Sequence, residues 1–388
     1  MKRRKFLQLF SGVTVASFPG FASQSRPNRV VVVGGGIIGS SIAYHLAKRG
    51  TEVTLLERSQ PASGATGNSF AWINASFAKQ PLRYYNLNRM GIDAYRHLER
   101  ELKGDLKINW GGSLIWHDGA TQAQRLRNQV WRHQTWGYAT HLVHADEFRR
   151  LESRITPGPA LAAAHSEHEA SVDPVHVVDV LMQKAQALGA KVEYPCEVTG
   201  LDLRWSRLRG VRTTQGDVEA DAVVIAAGVD SPRLASMAGL KVPLQDSPGI
   251  LAHTKPLKSL IGRIALAPGG YLKQHFDGRV VTGATFEGTA DLMNTREEGE
   301  RLLRAVERYL PDLRDAELDR VTKGWRVLPK DGYPIVGFPE GTPDVYLAVM
   351  HSGVTLSPLV GRLAALEILD GVRVDLLQPY RLSRFAAG

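Results

Sequence analysis

Cysteine is almost absent from this chain: Cys196 stands alone among 388 residues. An intrachain disulfide and a dithiol redox pair are therefore excluded, and no Cys/His cluster has the spacing of a metal site. For Cys196 the reading that remains is a small buried side chain. Nor does the body of the chain contain 18 or more consecutive apolar residues, so no membrane-spanning helix is expected there. The formal charge is +9, but Lys2, Arg3, Arg4 and Lys5 carry four of those charges, leaving +5. The other basic residues are interleaved with acids rather than striped with aromatics, so nucleic acid is not an expected partner. Hydrophobic content of 43% and charged content of 22% are ordinary for a globular chain. The length suffices for two domains, or for one large domain with an insertion.

What the sequence does have is concentrated in Val30 to Arg58. Val30 to Val33 is a continuous β-branched run, suited to a strand buried on both faces of a parallel sheet. Gly34, Gly36 and Gly39 follow at G-x-G-x-x-G spacing. Ile38, Ile42 and Leu46, with Ala43 and Ala47, then recur at helical steps, and Gly50 is placed to end that helix in a left-handed conformation. Val53 to Leu56 gives a second strand, and Glu57 closes it. Each glycine answers a steric demand. Gly34 makes the tight turn, Gly36 admits a pyrophosphate to the backbone, and Gly39 lets helix and strand pack closely. The helix N-terminus offers N–H groups and partial positive charge to phosphates. Glu57 can accept from both hydroxyls of an adenosine ribose and disfavours a 2′-phosphate, so NADP is not expected. Strand, glycines, helix, strand and acid together predict dinucleotide binding.

Before this unit lies Met1 to Ala22, a charged start followed by an apolar, small-residue segment. Arg3-Arg4-Lys5-Phe6-Leu7 resembles a twin-arginine export signal, with Lys2 and Gln8 departing from the usual pattern. The expectation is export to the periplasm, through the twin-arginine machinery, of a protein already loaded with its cofactor, with an uncleaved basic tail or membrane anchor as the other reading of this segment. No soluble nicotinamide pool recycles there, which favours a tightly held flavin. After the unit, Pro61 to Ser69 is a small, polar, Gly-rich loop able to wrap a pyrophosphate or ribityl chain. A helix is expected over Leu82 to Leu102, a strand over Gly111 to Trp116, and helices over Gln122–His133 and Ala145–Leu151. Asp173 reads as an N-cap with Pro174 in the first helical turn. Ala220 to Gly228 reads as a buried strand whose small C-terminal residues allow close approach by a cofactor. Strands are expected at Ile264–Ala267, Gly270–Gln274 and Arg279–Gly283. A strand at Val345–Val349 then leads through His351-Ser352-Gly353 into a helix reaching about Leu369. The N-terminus of that helix suits an anionic reduced flavin at its pyrimidine side.

Several blocks in this order resemble the FAD-dependent D-amino-acid oxidase superfamily, whose members include glycine oxidase, sarcosine oxidase and D-amino-acid dehydrogenase. They are the glycine motif with Glu57, Ser63 to Gly67, Val172-Asp173-Pro174, Asp221 to Gly228, Arg326 with Asp331-Gly332-Tyr333-Pro334 and Gly337, and His351-Ser352-Gly353. The resemblance runs from about Arg29 to about Asp370. It implies a mixed α/β fold: a Rossmann-like FAD-binding domain interleaved with an antiparallel-sheet substrate domain. The FAD-binding part is expected over 29–80, 160–245 and 325–380, and the substrate part over 81–159 and 246–324. The implied cofactor residues are Gly34, Gly36, Ile37, Ile38, Gly39, Glu57, Arg58, Ser63, Ala65, Thr66, Val198 (at the adenine), Ala227, Gly228, Gly353, Val354 and Thr355.

Arg326 is implied to pair with a substrate carboxylate, since its planar fork binds a carboxylate bidentately, although Val327 stands where the family usually has proline. Tyr271 and His351 are implied near the substrate and the flavin edge. Trp72, His165 and His275 read as ordinary core or surface aromatics. No histidine lies between Gly64 and Ala75 and Cys196 is in the wrong region, so the FAD is expected to be non-covalent. The implied activity is oxidation of the C–N bond of a small amino acid or N-alkyl amino acid, with hydride passing to flavin N5 and the imine hydrolysing. Electrons would then pass to O₂ or a membrane quinone. Two other readings stay open: a flavoenzyme acting on a hydroxy acid or polyol phosphate, and an exported, non-catalytic FAD-binding protein.

Overall fold

The computed structural model describes residues 26–386 apart from Ala78, Ser206 and residues 285–292. The expected export segment Met1 to Ala22 lies outside the described residues. At the centre of the fold is the opening β-branched run, strand β1 (Arg29–Val33). It pairs in parallel with β2 (Glu52–Leu56) on one side and with Ala222–Ile225 on the other. Val345–Val349 extends the sheet in parallel beyond Ala222–Ile225, as Lys191–Glu193 does beyond β2. Ile335–Gly337 closes one edge, running antiparallel to Val345–Val349. Val30 and Val32 are buried in one core cluster, Val31 and Val33 in another. Period-two side chains thus enter apolar layers on both faces, which is why a run with no polar alternation is stable here.

Helix α1 (Ile37–Lys48) connects β1 to β2 and packs against the long helix Gly353–Asp370. Gly50 follows α1 at φ +75°, in the left-handed conformation expected of it. Helix α2 (Leu82–Glu101) also lies on this layer: the Tyr95 hydroxyl is 3.1 Å from Ser357 Oγ. A Cβ on Gly91 would stand 2.5 Å from the Thr355 carbonyl oxygen. The sequence division put residues 82–101 with the substrate part. The buried stripe of Tyr85, Ile92, Tyr95 and Leu98 instead joins the core cluster that holds Val30 and Val32.

A second, eight-stranded sheet stands apart from the first. Its order is Leu318–Trp325, Pro248–Thr254, Val280–Gly283, Gly270–Gln274, Ile264–Ala267, Ser113–His117, Ala162–Ser166 and Thr140–Leu142. Among the described residues, only its pairing of Ser113–His117 with Ile264–Ala267 is parallel. Ala162–Ser166, expected with the dinucleotide-binding part, belongs to this sheet through its antiparallel pairing with Ser113–His117. Its short, mostly alanine run carries no pattern that separates the two alternatives. The chain returns to the first unit at Asp173, whose carboxylate accepts from the backbone N–H groups of Val175 and His176 at 3.0 and 3.4 Å, with Pro174 first in the helix Pro174–Ala187. No helix among the described residues is long and apolar enough to cross a membrane.

Candidate active site

Between the two sheets lies a cavity of about 790 Å³. Two long helices, α1 and Gly353–Asp370, begin at its wall. Neither has a side-chain cap or an acidic residue in its first turn, and Ser352 enters the second at φ +61°. Two uncapped helix starts facing one space form a site suited to an anionic ligand. Gly34 turns at φ +112°, where a Cβ would stand 2.5 Å from the Ala226 carbonyl oxygen. A Cβ on Gly39 would lie 1.9 Å from the Gly34 carbonyl oxygen, so α1 is seated directly on the turn. The loop Pro61 to Ser69 folds back over this turn, with the Thr66 hydroxyl accepting from Ile37 N at 3.1 Å. The Glu57 carboxylate accepts from Gly35 N at 2.8 Å and from Ser59 N at 2.9 Å, and so ties the end of β2 to the glycine loop.

Of the cofactor residues named from the sequence, the cavity wall contains Gly34, Gly36, Ile37, Ile38, Glu57, Arg58, Ser63, Ala65, Thr66, Val198, Ala227, Gly228, Gly353 and Val354. Gly39 and Thr355 are not in the wall. Gly39 is used in packing, and Thr355 Oγ1 turns away, accepting from Asn74 N and donating to Trp72 O at 3.2 Å each. The acidic residues of the wall, Glu57, Glu197 and Asp230, gather near Arg58 and Arg233. Arg233 lies 2.7 Å from Asp230 and 3.1 Å from Glu197, and Arg58 lies 3.6 Å from Asp230.

The other end of the wall is cationic and aromatic. Arg326, Tyr271 and His351 all line it, from three separate elements. Arg326 follows the strand Leu318–Trp325; its guanidinium donates to the Pro248 carbonyl and is hydrogen-bonded with the Tyr271 phenol. Burial lowers the pKa of Arg326 and raises that of Tyr271. The Tyr271 ring also packs edge-on against Phe70, with centroids 4.5 Å apart. His351 leaves the strand Val345–Val349; burial, with the charges of Lys79 and Arg326, pushes its pKa down to about 3. It is therefore a neutral imidazole at physiological pH.

Four residues of this end were not singled out from the sequence, or were given a plain reading. Trp72, read as an ordinary aromatic, is in the cavity wall and donates through Nε1 to Glu169 at 2.9 Å. Glu169 is fully buried and also accepts from Ser113 Oγ, Ala75 N, Ser76 N and Tyr138 Oη. This carboxylate holds the segment Trp72–Ser76 in place against the large sheet. Lys79 lines the cavity, donates to Ser352 Oγ and lies 5.5 Å from the Tyr84 ring centroid. Lys273 donates to the carbonyl of Val172 at 2.7 Å, behind Phe70. Nothing local distinguishes Lys79 or Lys273 from a surface lysine; only the fold encloses them.

Burial lowers the Lys79 pKa from 10.5 to about 8. Its charged form is disfavoured in the folded state, so between about pH 8 and 10.5 the unfolded chain binds the extra proton and stability rises with pH. The contribution of this group amounts to about 3 kcal/mol across that window. Lys79→Met is expected to abolish this part of the slope, measured as the difference between wild type and variant in urea unfolding at each pH. Parallel pH profiles would refute it.

A dinucleotide-binding sheet, two helix N-termini and an apolar cavity closed by a second sheet define a flavin-dependent oxidoreductase. The residues present fit FAD: the missing side chain at Gly36 leaves room for a diphosphate at the start of α1, whose first N–H is held by Thr66 while the helix end supplies the positive charge. The chain belongs to the FAD-dependent oxidoreductase family, whose model matches residues 29–366. It is 28% identical to glycine oxidase from Bacillus licheniformis over 363 residues, covering 91% of this chain and 96% of that protein. It is 25% identical to the human mitochondrial dimethylglycine dehydrogenase, spanning 94% of this chain but only 48% of that longer protein. The crystal structure of glycine oxidase from Geobacillus kaustophilus superposes with a TM-score of 0.82 at 25% identity, covering 93% of this chain and 99% of that one.

Proposed function

We propose that this flavoenzyme oxidises the C–N bond of a small amino acid or N-alkyl amino acid, with FAD bound non-covalently. The observation that carries the reading is the half-buried Arg326 guanidinium, hydrogen-bonded with Tyr271 in the cavity wall. A planar, permanently charged fork at that position suits a substrate carboxylate. Glycine oxidase and dimethylglycine dehydrogenase, both relatives of this chain, are named for substrates of that kind.

When bound, FAD supplies a two-electron acceptor for the hydride of the substrate α-carbon. The protein contributes position and charge. Arg326 holds the carboxylate, and the aromatic wall of Phe70, Trp72 and Tyr271 excludes water. Lys79 and Arg326 together disfavour a further cation nearby, so the substrate amine is held as the free base, with its lone pair available. Neutral His351 adds no charge to oppose this. The product imine then hydrolyses in water to the carbonyl compound and ammonia or, from an N-alkyl substrate, the alkylamine.

The test is the visible spectrum of the purified protein, followed by anaerobic addition of D-amino acids, glycine and sarcosine. Flavin bands that bleach with one of them are expected. Flavin that stays oxidised with every amine, but bleaches with a hydroxy acid or polyol phosphate, would overturn the substrate assignment. Reoxidation by air, compared with reoxidation by a quinone, then separates the two electron acceptors. We further propose export through the twin-arginine machinery, supported by the arginine pair and apolar segment of the first 22 residues. Replacing both Arg3 and Arg4 by lysine is expected to leave the protein in the cytoplasmic fraction of a bacterial host; unchanged periplasmic recovery would refute this.

A further inference from the structure

At the edge of the large sheet, away from the cavity wall, two histidines and a glutamate converge. His141 lies on the edge strand Thr140–Leu142, directly opposite His165 of Ala162–Ser166 in the antiparallel register, and Glu167 follows that strand. One ligand atom from each of the three lies within 4.8 Å of the others. The sequence offered no such cluster, because residues 141 and 165 are neighbours only through strand pairing.

The surroundings of His141 place both of its ring nitrogens. His141 Nε2 is 3.0 Å from Glu147 Oε1, in the helix Ala145–Leu151, while Nδ1 is turned to Glu167 Oε1 at 3.3 Å. This is the carboxylate–imidazole arrangement that orients a metal-bound histidine. His165 is 7% exposed; its Nε2 stands beside the Gly111–Gly112 backbone with no hydrogen-bond partner of good geometry among the described residues, and its ring lies edge-on to that of His141, with centroids 5.6 Å apart. A buried imidazole without a well-made hydrogen bond is costly, and a cation bound at its ring would offset that cost. Arg263, the nearby cation, lies 3.7 Å from Glu152 and donates to the Leu151 carbonyl.

We propose that His141, His165 and Glu167 form a binding site for one divalent transition-metal ion of the zinc class. Two imidazoles and one carboxylate match the ligand preference of such ions, whereas calcium and magnesium favour all-oxygen shells. Ligand distances of about 2 Å draw the three atoms together. The side chains of His141 and Glu167, 35% and 51% exposed, are free to adjust. The fourth tetrahedral position falls to water. Glu147 is a positioning residue, acting through His141. The ion pins the three-residue edge strand to the turn after its neighbour, and so protects an otherwise open sheet edge.

The test uses tag-free, FAD-loaded full-length protein, stripped with EDTA and titrated with Zn²⁺ by calorimetry and with Co²⁺ by visible absorption. One ion per chain is expected, with a tetrahedral Co²⁺ spectrum, a higher Tm in Zn²⁺ and no change in the flavin bands. His141→Gln and Glu167→Gln, both at partly exposed positions, should fold, retain FAD and lose the stoichiometric site. Glu147→Ala should weaken Zn²⁺ binding by about 10–100-fold. The proposal is overturned if the wild type takes up no stoichiometric ion, or if both glutamine variants bind Zn²⁺ as tightly as the wild type.

Discussion

Arg326→Leu is expected to lower kcat/KM for amines bearing a carboxylate by about 10²–10³-fold, the consequence of removing one partner from an enclosed charge pair. FAD should stay bound. The residue follows the edge strand Leu318–Trp325 of the eight-stranded sheet, while the glycine loop and both helix starts belong to the other unit. The site is shaped around this side chain: a Cβ on Gly249 would stand 2.8 Å from the Arg326 guanidinium. If the carboxylate contact is equally strong in substrate and transition state, the loss appears in KM. If it also aligns the α-carbon, kcat falls too. Arg326→Lys should recover part of the loss, because it restores charge without the fork. Steady-state kinetics and the flavin content of each variant give the answer. Unchanged kinetics in Arg326→Leu would remove this residue from the substrate site.

Gly39→Ala should cost the protein its cofactor. The added Cβ would overlap the Gly34 carbonyl oxygen at 1.9 Å, and Gly34 has little room to retreat, because even a Cβ on it would meet Ala226 and Ala227 at 2.5–2.9 Å. Helix α1 must therefore shift away from the turn. That costs stability of about 1–3 kcal/mol, as for other overpacked positions, and displaces the helix N-terminus from the cavity. Gly262→Ala, outside the cavity wall, is the control: a Cβ there meets only Glu152 Oε1, at an ordinary 3.7 Å. The FAD-to-protein absorbance ratio and the Tm of both variants decide the matter. A Gly39→Ala protein with full FAD and an unchanged Tm would show that the turn is softer than its packing implies.

The central βαβ unit was legible in the sequence because every signal in it is local. A buried parallel strand needs consecutive β-branched residues, the turn needs Gly34 at positive φ, and α1 can meet it only where Gly39 has no side chain. The Asp173 cap and the strand Val345–Val349 leading to its helix were legible for the same reason. Thr355 shows the limit of such reading: it sits where a helix start meets the cofactor site, yet its hydroxyl is committed to β-strand Trp72–Ile73 and so faces away.

What the sequence by itself determined is therefore the dinucleotide-binding unit and its family, both encoded in residues near one another or in a motif order. Only the tertiary structure decided which unit α2 and Ala162–Ser166 join, since an apolar stripe does not name its partner. Only it enclosed Lys79 and Lys273, turned Glu169 into the anchor of the Trp72 segment, and set His141 against His165. Those properties arise from groups far apart in the chain, whose burial and pairing exist only once the two sheets have closed over the cavity.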